Sequence, residues 1–251
     1  MSEAKLLQFL KAPDGEKIAY KMNEGHGPAI IWCGGLKSDM GGSKAVHLHD
    51  WAMRREQTFI RFDYFGHGQS SGNFTDGTIS RWAKDVSFVR DKLADEPVIL
   101  IGSSMGGWAS MLSAIWHPQN LKGLVLINPA PDFTEKLTAA KWTEEQIKQL
   151  EDDGVVYEPS GYDEPYAYSK TLMDDGRAHQ ILDATIPISC PIRILQGVDD
   201  PIVPWQHSHL ILDNVTSQDV TYNLIKGGDH SLSRPQDLIH IEKAITDITS
   251  L

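Results

Sequence analysis

Residues 97–108 read PVILIGSSMGGW. The first six form a short, continuous apolar run, the pattern of a strand buried on both faces, and residues 105–116 follow with helix-compatible sequence. At the junction Gly102, Ser104 and Gly106 fit G-x-S-x-G, whereas Ser103 is out of register because Ile101 lies two residues before it. A serine on a sharp strand-to-helix turn has its hydroxyl lifted above the sheet, and only minimal side chains fit two residues to either side. The helix that follows aims its free N–H groups at developing negative charge. Ser104 is therefore the expected nucleophile, and the Met105 N–H is one expected oxyanion donor. The plainer alternative is a small-residue packing turn.

The same rhythm extends outward. KLLQFLKAPDGEKIAYKM (5–22) reads as two short strands about a Pro-Asp-Gly turn at 13–15, followed by the buried run AIIWC (29–33). A helix over 43–55, strand TFIRF (58–62), a helix over 78–93, and strand LKGLVLIN (121–128) after the 105–116 helix complete the first part. Alternation resumes with PIRILQG (191–197), a helix over 204–213, strand VTYNLIKG (220–227) and a helix over 235–249. Apolar strands alternating with helices give an α/β class with a parallel sheet covered on both faces. Residues 131–186 break the pattern with polar helical sequence and no buried strand. They read as a helical cap inserted into a core made of 1–130 and 187–251, at the strand edge where ligands bind.

A serine hydroxyl needs a base, and ten histidines compete. On an elbow of this kind the partners follow in the chain order serine, acid, histidine, with the histidine after the last strand. His230, in GGDHSL (227–232), is so placed; His47, His49, His117, His207, His209 and His240 fall on helices or their ends. The acid belongs after PIRILQG, where Asp199 and Asp200 are adjacent. Only one can turn inward to orient the imidazole; Asp200 is favoured over Asp199, and Asp229 reads as a turn residue. The second oxyanion donor is expected on Gly34-Gly35-Leu36 after AIIWC, as the Leu36 N–H.

The chain of 251 residues carries 34 acidic against 23 basic side chains, a net charge of −11. That excess argues against a phosphate-binding surface, so no nucleic-acid partner is expected. Cys33 and Cys190 are too few for a disulfide framework or a four-thiolate metal site, and two reduced, buried thiols are expected. No metal-ligand cluster appears, and GGLKSDMGG (34–42) lacks the G-x-G-x-x-G register of a dinucleotide loop, so neither metal nor cofactor is expected. The longest apolar runs, such as LVLI (124–127), are too short to span a bilayer. The opening MSEAKLLQFLKAPDG shows no basic segment leading into a long apolar run, which sets a cytoplasmic address as the expectation.

GGLKSDM (34–40), FDYFGHGQSSG (62–72), GSSMGGW (102–108), and GVDDPIVP (197–204) with GGDH (227–230) together resemble the α/β-hydrolase family. The second segment is similar to the family's D-x-x-G-x-G-x-S loop, carried by Asp63, Gly66, Gly68 and Ser70, and this implies a structural role for His67. The family's G-x-x-D-x-x-V-P falls on Gly197, Asp200, Val203 and Pro204, which strengthens the choice of Asp200. Over nearly the whole chain the spacing resembles the serine esterases and thioesterases of that family that act on acyl groups. The resemblance implies an α/β-hydrolase fold with a mostly parallel sheet and a small helical cap. It also implies hydrolysis of carboxylic esters or thioesters through an acyl-enzyme on Ser104, with His230 and Asp200. The substrate would be a small-molecule acyl ester or thioester, or an acylated protein. The competing readings are a peptidase or a carbon–carbon bond hydrolase with the same residues, and a non-catalytic ligand-binding fold.

Phe133, Trp142, Tyr157, Tyr162, Tyr166 and Tyr168 are candidates to line an acyl pocket, with packing expected for at least half of them. Residues 131–186 hold 13 acidic and 5 basic side chains, so most of the net charge lies there. If that charge faces the pocket, polyanionic leaving groups such as coenzyme A are repelled.

Overall fold

The computed structural model describes residues 7–94, 97–160 and 165–251. In chain order the elements up to the insertion are β1 (Gln8–Lys11), β2 (Lys17–Asn23), β3 (His26–Cys33), α1 (Ser43–Arg54), β4 (Gln57–Phe62), α2 (Ile79–Leu93), β5 (Val98–Ser103), α3 (Met105–Trp116) and β6 (Leu121–Ile127). The insertion carries α4 (Glu144–Asp153), β7 (Val155–Glu158), β8 (Tyr166–Ser169) and α5 (Lys170–Ala178). The chain then closes with β9 (Ile192–Gly197), α6 (Trp205–Asn214), β10 (Val220–Ile225) and α7 (Pro235–Thr249).

Eight strands form one sheet in the order β1-β2-β4-β3-β5-β6-β9-β10. β1 and β2 run antiparallel to their neighbours and the other six are parallel. Successive side chains of a strand point to opposite faces, so each apolar run feeds two cores. Val98 and Leu100 of β5 join Ile31, Leu124, Trp82 and Trp108 on the face covered by α2 and α3. Ile99 and Ile101 join Ile30, Val125, Leu48 and Ile245 on the face covered by α1 and α7. This two-sided burial is why the central strands show no polar alternation, and it places the expected α/β sheet in the structure. Because the parallel strands share a direction, the loops after β3, β5, β6, β9 and β10 all emerge along one edge.

The insertion between β6 and β9 departs from a purely helical cap. Thr143 and Gln146 close a capping box on α4, which ends at Gly154 with φ +75°. A two-stranded antiparallel hairpin follows, with Val156 opposite Tyr168. Its strands have four residues each, too short for period-two alternation to separate them from loop. Two carboxylates tie the insertion down. Asp132, fully buried, accepts the N–H groups of Ile181 (2.8 Å) and Leu182 (2.9 Å), joining the two stems. Asp175 accepts the Ser80 N–H (2.8 Å) and hydroxyl (2.7 Å) in the first turn of α2. His207, on α6, is buried and donates from Nε2 to the Pro131 carbonyl at 2.7 Å. Among the described residues no helix is long and apolar enough to cross a membrane.

Candidate active site

Ser104 follows β5 and caps α3 with φ +54° and ψ −121°, a conformation rarely adopted by a residue with a side chain. The strain is held by packing that leaves no room for a Cβ at the flanking glycines. At Gly102 a Cβ would lie 2.6 Å from the Gly106 carbonyl oxygen, and at Gly106 it would run into the Cys33 and Gly34 carbonyls. The spacing G-x-S-x-G is thus a steric requirement of the close approach between β3, β5 and α3.

The Ser104 hydroxyl donates to His230 Nε2 over 3.1 Å, and His230 Nδ1 donates to Asp200 Oδ2 over 2.7 Å. The second carboxylate oxygen of Asp200 accepts the N–H groups of Ile202 (2.8 Å) and Val203 (2.9 Å). The Asp200 side chain is fully buried while that of His230 is 27% exposed, so the imidazole bridges a dry carboxylate and an open hydroxyl. Asp199 is exposed, and its backbone N–H donates to Gly228 O at 2.9 Å. Asp229 accepts the Leu232 N–H (2.9 Å) within its own turn.

Leu36 and Met105 both border the cavity above Ser104. Met105 opens α3, where backbone N–H groups lack helical partners. Gly35 lies against the Ser104 side chain: a Cβ built there would be 3.5 Å from Ser104 Cβ. The 34–40 loop is fastened from behind. His67 Nε2 accepts the Lys37 N–H at 3.1 Å, and Nδ1 lies 3.2 Å from Phe65 O. Burial lowers the His67 pKa to about 4, partly opposed by the Phe65 carbonyl, so the ring is neutral and able to accept. Asp63 accepts the N–H groups of Met40 (2.6 Å) and Gln69 (2.7 Å), tying the 63–70 loop to the same segment.

A cavity of about 570 Å³ opens over Ser104 and His230. From the insertion Phe133, Leu137, Tyr166 and Tyr168 line it, whereas Trp142 and Tyr157 do not; Tyr162 lies outside the described residues. Trp142 packs edge-on against Tyr168 and donates to Glu158. Of the described acidic residues of the insertion, only Glu158 lines the cavity. Asp132 and Asp175 bond inward to the backbone and to Ser80, away from the cavity, and several of the others meet Lys136, Lys148, Lys170 and Arg177 in ion pairs at the surface. The net charge of the insertion therefore gives no support to repulsion of polyanions; Asp163 and Glu164 lie outside the described residues.

Two residues at the site escaped the sequence reading. Lys44 lines the cavity and donates to the Ser231 carbonyl beside His230. Burial lowers its pKa to about 8, opposed by Asp229 and Asp237. The available signal was a cation in the first turn of a helix, where the dipole disfavours it. Asn128 directly follows the apolar strand β6 and is completely buried. The thiols are away from this chemistry: burial raises Cys33 to about 12 and Cys190 to about 11.

A family model described as an alpha/beta hydrolase fold matches residues 44–158. The human "Palmitoyl-protein thioesterase ABHD10, mitochondrial" is 37% identical over 244 residues, covering 96% of this chain and 79% of that protein. The protein of the same name from Bos taurus is 36% identical over 249 residues, with the same shares. Among solved structures, a putative hydrolase from Agrobacterium vitis S4 matches with a TM-score of 0.92 at 38% identity, covering 97% of this chain and 98% of the other. Mouse alpha/beta hydrolase domain-containing protein 10 matches with a TM-score of 0.89 at 35% identity, covering 98% of each chain. The fold expected from the four motif segments, and the resemblance to that family's thioesterases, are borne out. The cytoplasmic address is not: these relatives are named mitochondrial. Addresses are read by receptors from targeting segments, and the composition of a folded domain carries little of that information.

Proposed function

The chain belongs to the α/β-hydrolase family, and from that premise we propose that it cleaves acyl thioesters and carboxylic esters through an acyl-enzyme on Ser104. The observation that carries this reading is the hydrogen-bonded series Asp200–His230–Ser104 at the floor of the cavity. As Ser104 Oγ attacks the carbonyl carbon, its proton passes to His230 Nε2. Asp200 keeps the other ring nitrogen protonated and stabilises the imidazolium. The oxyanion takes hydrogen bonds from the Leu36 and Met105 N–H groups, each worth about 3 kcal/mol in the transition state. Collapse breaks the bond to the leaving group. A thiolate departs as such and the His230 proton is then released to it or to solvent, while an alkoxide takes that proton from His230 as it leaves; either way the imidazole is neutral again. Water then gives a proton to His230 and attacks the acyl carbon; His230 returns that proton to Ser104 as the acid is released.

Residues 1–130 and 187–251 are the catalytic unit in this reading, and 131–186 the cap that selects the acyl group. Phe133, Leu137, Tyr166 and Tyr168 offer the apolar surface an acyl chain needs, and Ser43, Lys44, Ser231 and Ser233 offer polar contacts to the leaving group. The names of the relatives support a long acyl chain on a protein thiol as one such substrate.

The test is fluorophosphonate labelling of purified protein beside Ser104→Ala, followed by graded acyl thioesters, p-nitrophenyl esters and aminoacyl amides. Labelling at Ser104 and turnover of thioesters and esters, with loss of at least about 10³-fold in Ser104→Ala, are expected. Labelling that persists in the variant removes Ser104 as nucleophile, and preferential turnover of amides replaces the acyl substrate class with peptides.

A further inference from the structure

We infer that Asn128 is a positioning residue that holds the loops of the acid and the base in register with the nucleophile; the inference rests on the Ser104–His230–Asp200 reading above. β6 lies between β5, which leads directly into Ser104, and β9, which leads to Asp200. Asn128 is the residue immediately after β6, wholly buried, with φ +42°. That left-handed conformation is one asparagine tolerates better than most side chains.

All of its hydrogen-bonding groups named here face the site loops. The backbone N–H donates to Leu195 O in β9 (2.8 Å), and Oδ1 accepts the Gly197 N–H (2.7 Å), at the root of the loop bearing Asp200. Nδ2 donates both its protons to the other loop, to Asp229 O (3.0 Å) and His230 O (2.8 Å). The neighbouring backbone grips the nucleophile: Ser104 N–H donates to Ile127 O (3.0 Å), and Ala130 N–H donates to Ser104 O (3.1 Å). One four-residue segment thus bonds to all three parts of the site.

An amide is the only small side chain that meets this demand. One acceptor must face Gly197 N–H and two donors must face adjacent carbonyls. A carboxylate at this position keeps the acceptor but turns lone pairs toward the Asp229 and His230 carbonyls. Glycine keeps the φ and loses every side-chain bond. In either case the His230 backbone loses its hydrogen bond to the segment after β6, and the Ser104–His230 and His230–Asp200 distances are no longer fixed together. Misplacement of about 1 Å at a reacting group costs on the order of 10²-fold in rate.

The experiment compares the parent with Asn128→Gly and Asn128→Asp by thioester kinetics, fluorophosphonate labelling rate and the downfield proton NMR signal of the His230–Asp200 hydrogen bond. The expected result is kcat lower by about 30- to 100-fold in both variants with KM within about twofold. Labelling should slow in proportion, and the downfield signal should broaden or vanish. A folded variant with kcat within threefold of the parent, or with an unchanged downfield signal, overturns the proposal. So does failure of both variants to fold, which makes Asn128 a residue of general stability. If the parent itself is not labelled at Ser104, the hydrolase reading fails, and that outcome is distinct from a labelled parent with equally labelled variants.

Discussion

The edge of the sheet that carries Ser104 and the insertion above it are held by different kinds of polar contact. At the edge, the groups that matter are buried and bonded more than once: Asp63 to two backbone N–H groups, Asp200 to two N–H groups and His230, Asn128 to β9 and to the 229–230 loop. In the insertion most charges meet as exposed pairs, such as Lys148–Asp152 and Lys170–Glu151. Buried bonds are directional and costly to break, while exposed pairs contribute about 0–1 kcal/mol each. The comparison teaches that geometry is specified at the edge, whereas the insertion supplies surface and shape and is anchored at a few points such as Asp132 and Asp175.

If this contrast is sound, the largest effect belongs to the buried acid. Asp200→Asn should lower kcat by about 10³- to 10⁴-fold, because the imidazole loses its oriented tautomer, while Asp199→Asn changes it by less than threefold. Steady-state rates on one thioester decide this, and a larger loss at Asp199 would break the comparison at its centre. Next comes the clamp behind the 34–40 loop. The folded-state pKa of His67, about 4, lies below the ordinary 6.5, so protons favour the unfolded chain. Its stabilisation is present above about pH 6.5 and is lost as pH falls toward 4. Urea midpoints between pH 7 and 4 should show the parent losing on the order of 3 kcal/mol relative to His67→Gln; parallel curves would count against a neutral buried ring.

Smaller effects are expected in the insertion, and of another kind. Leu137→Ala should lower kcat/KM for long-chain acyl thioesters by about tenfold and leave acetyl thioesters nearly unchanged. An equal loss on both would mean that Leu137 supports the site rather than the chain. At the bottom of the scale, Lys148→Met should alter the unfolding free energy by less than about 0.5 kcal/mol, a shift in Tm of no more than about 2 °C by calorimetry.

What could be read before the structure follows the same division. Ser104 and its glycines are local: the turn that needs them is written within five consecutive residues. The alternating apolar strands are equally local, so the parallel sheet was legible. The choice of Asp200 over Asp199 depends on which of two neighbours faces inward, and the sequence context alone left a preference. Asn128 was invisible because its partners lie 69 and 102 positions away, and nothing about a single asparagine after LVLI announces them. The hairpin of the insertion was missed because Val155–Glu158 and Tyr166–Ser169 are too short for a periodicity and are defined only by pairing with each other.

The outgoing and returning stems of the insertion meet at Asp132. Its carboxylate binds the amides of Ile181 (2.8 Å) and Leu182 (2.9 Å). Those two hydrogen bonds hold residues 132 and 181–182 together whatever lies between them. Closing such a path costs little more for a long segment than for a short one, the penalty growing only with the logarithm of length. The excursion is therefore exchangeable. A segment of different size and shape can be grafted between the same stems while Ser104, His230 and Asp200 keep their places, which makes this junction the natural point at which to redirect the enzyme toward new acyl groups.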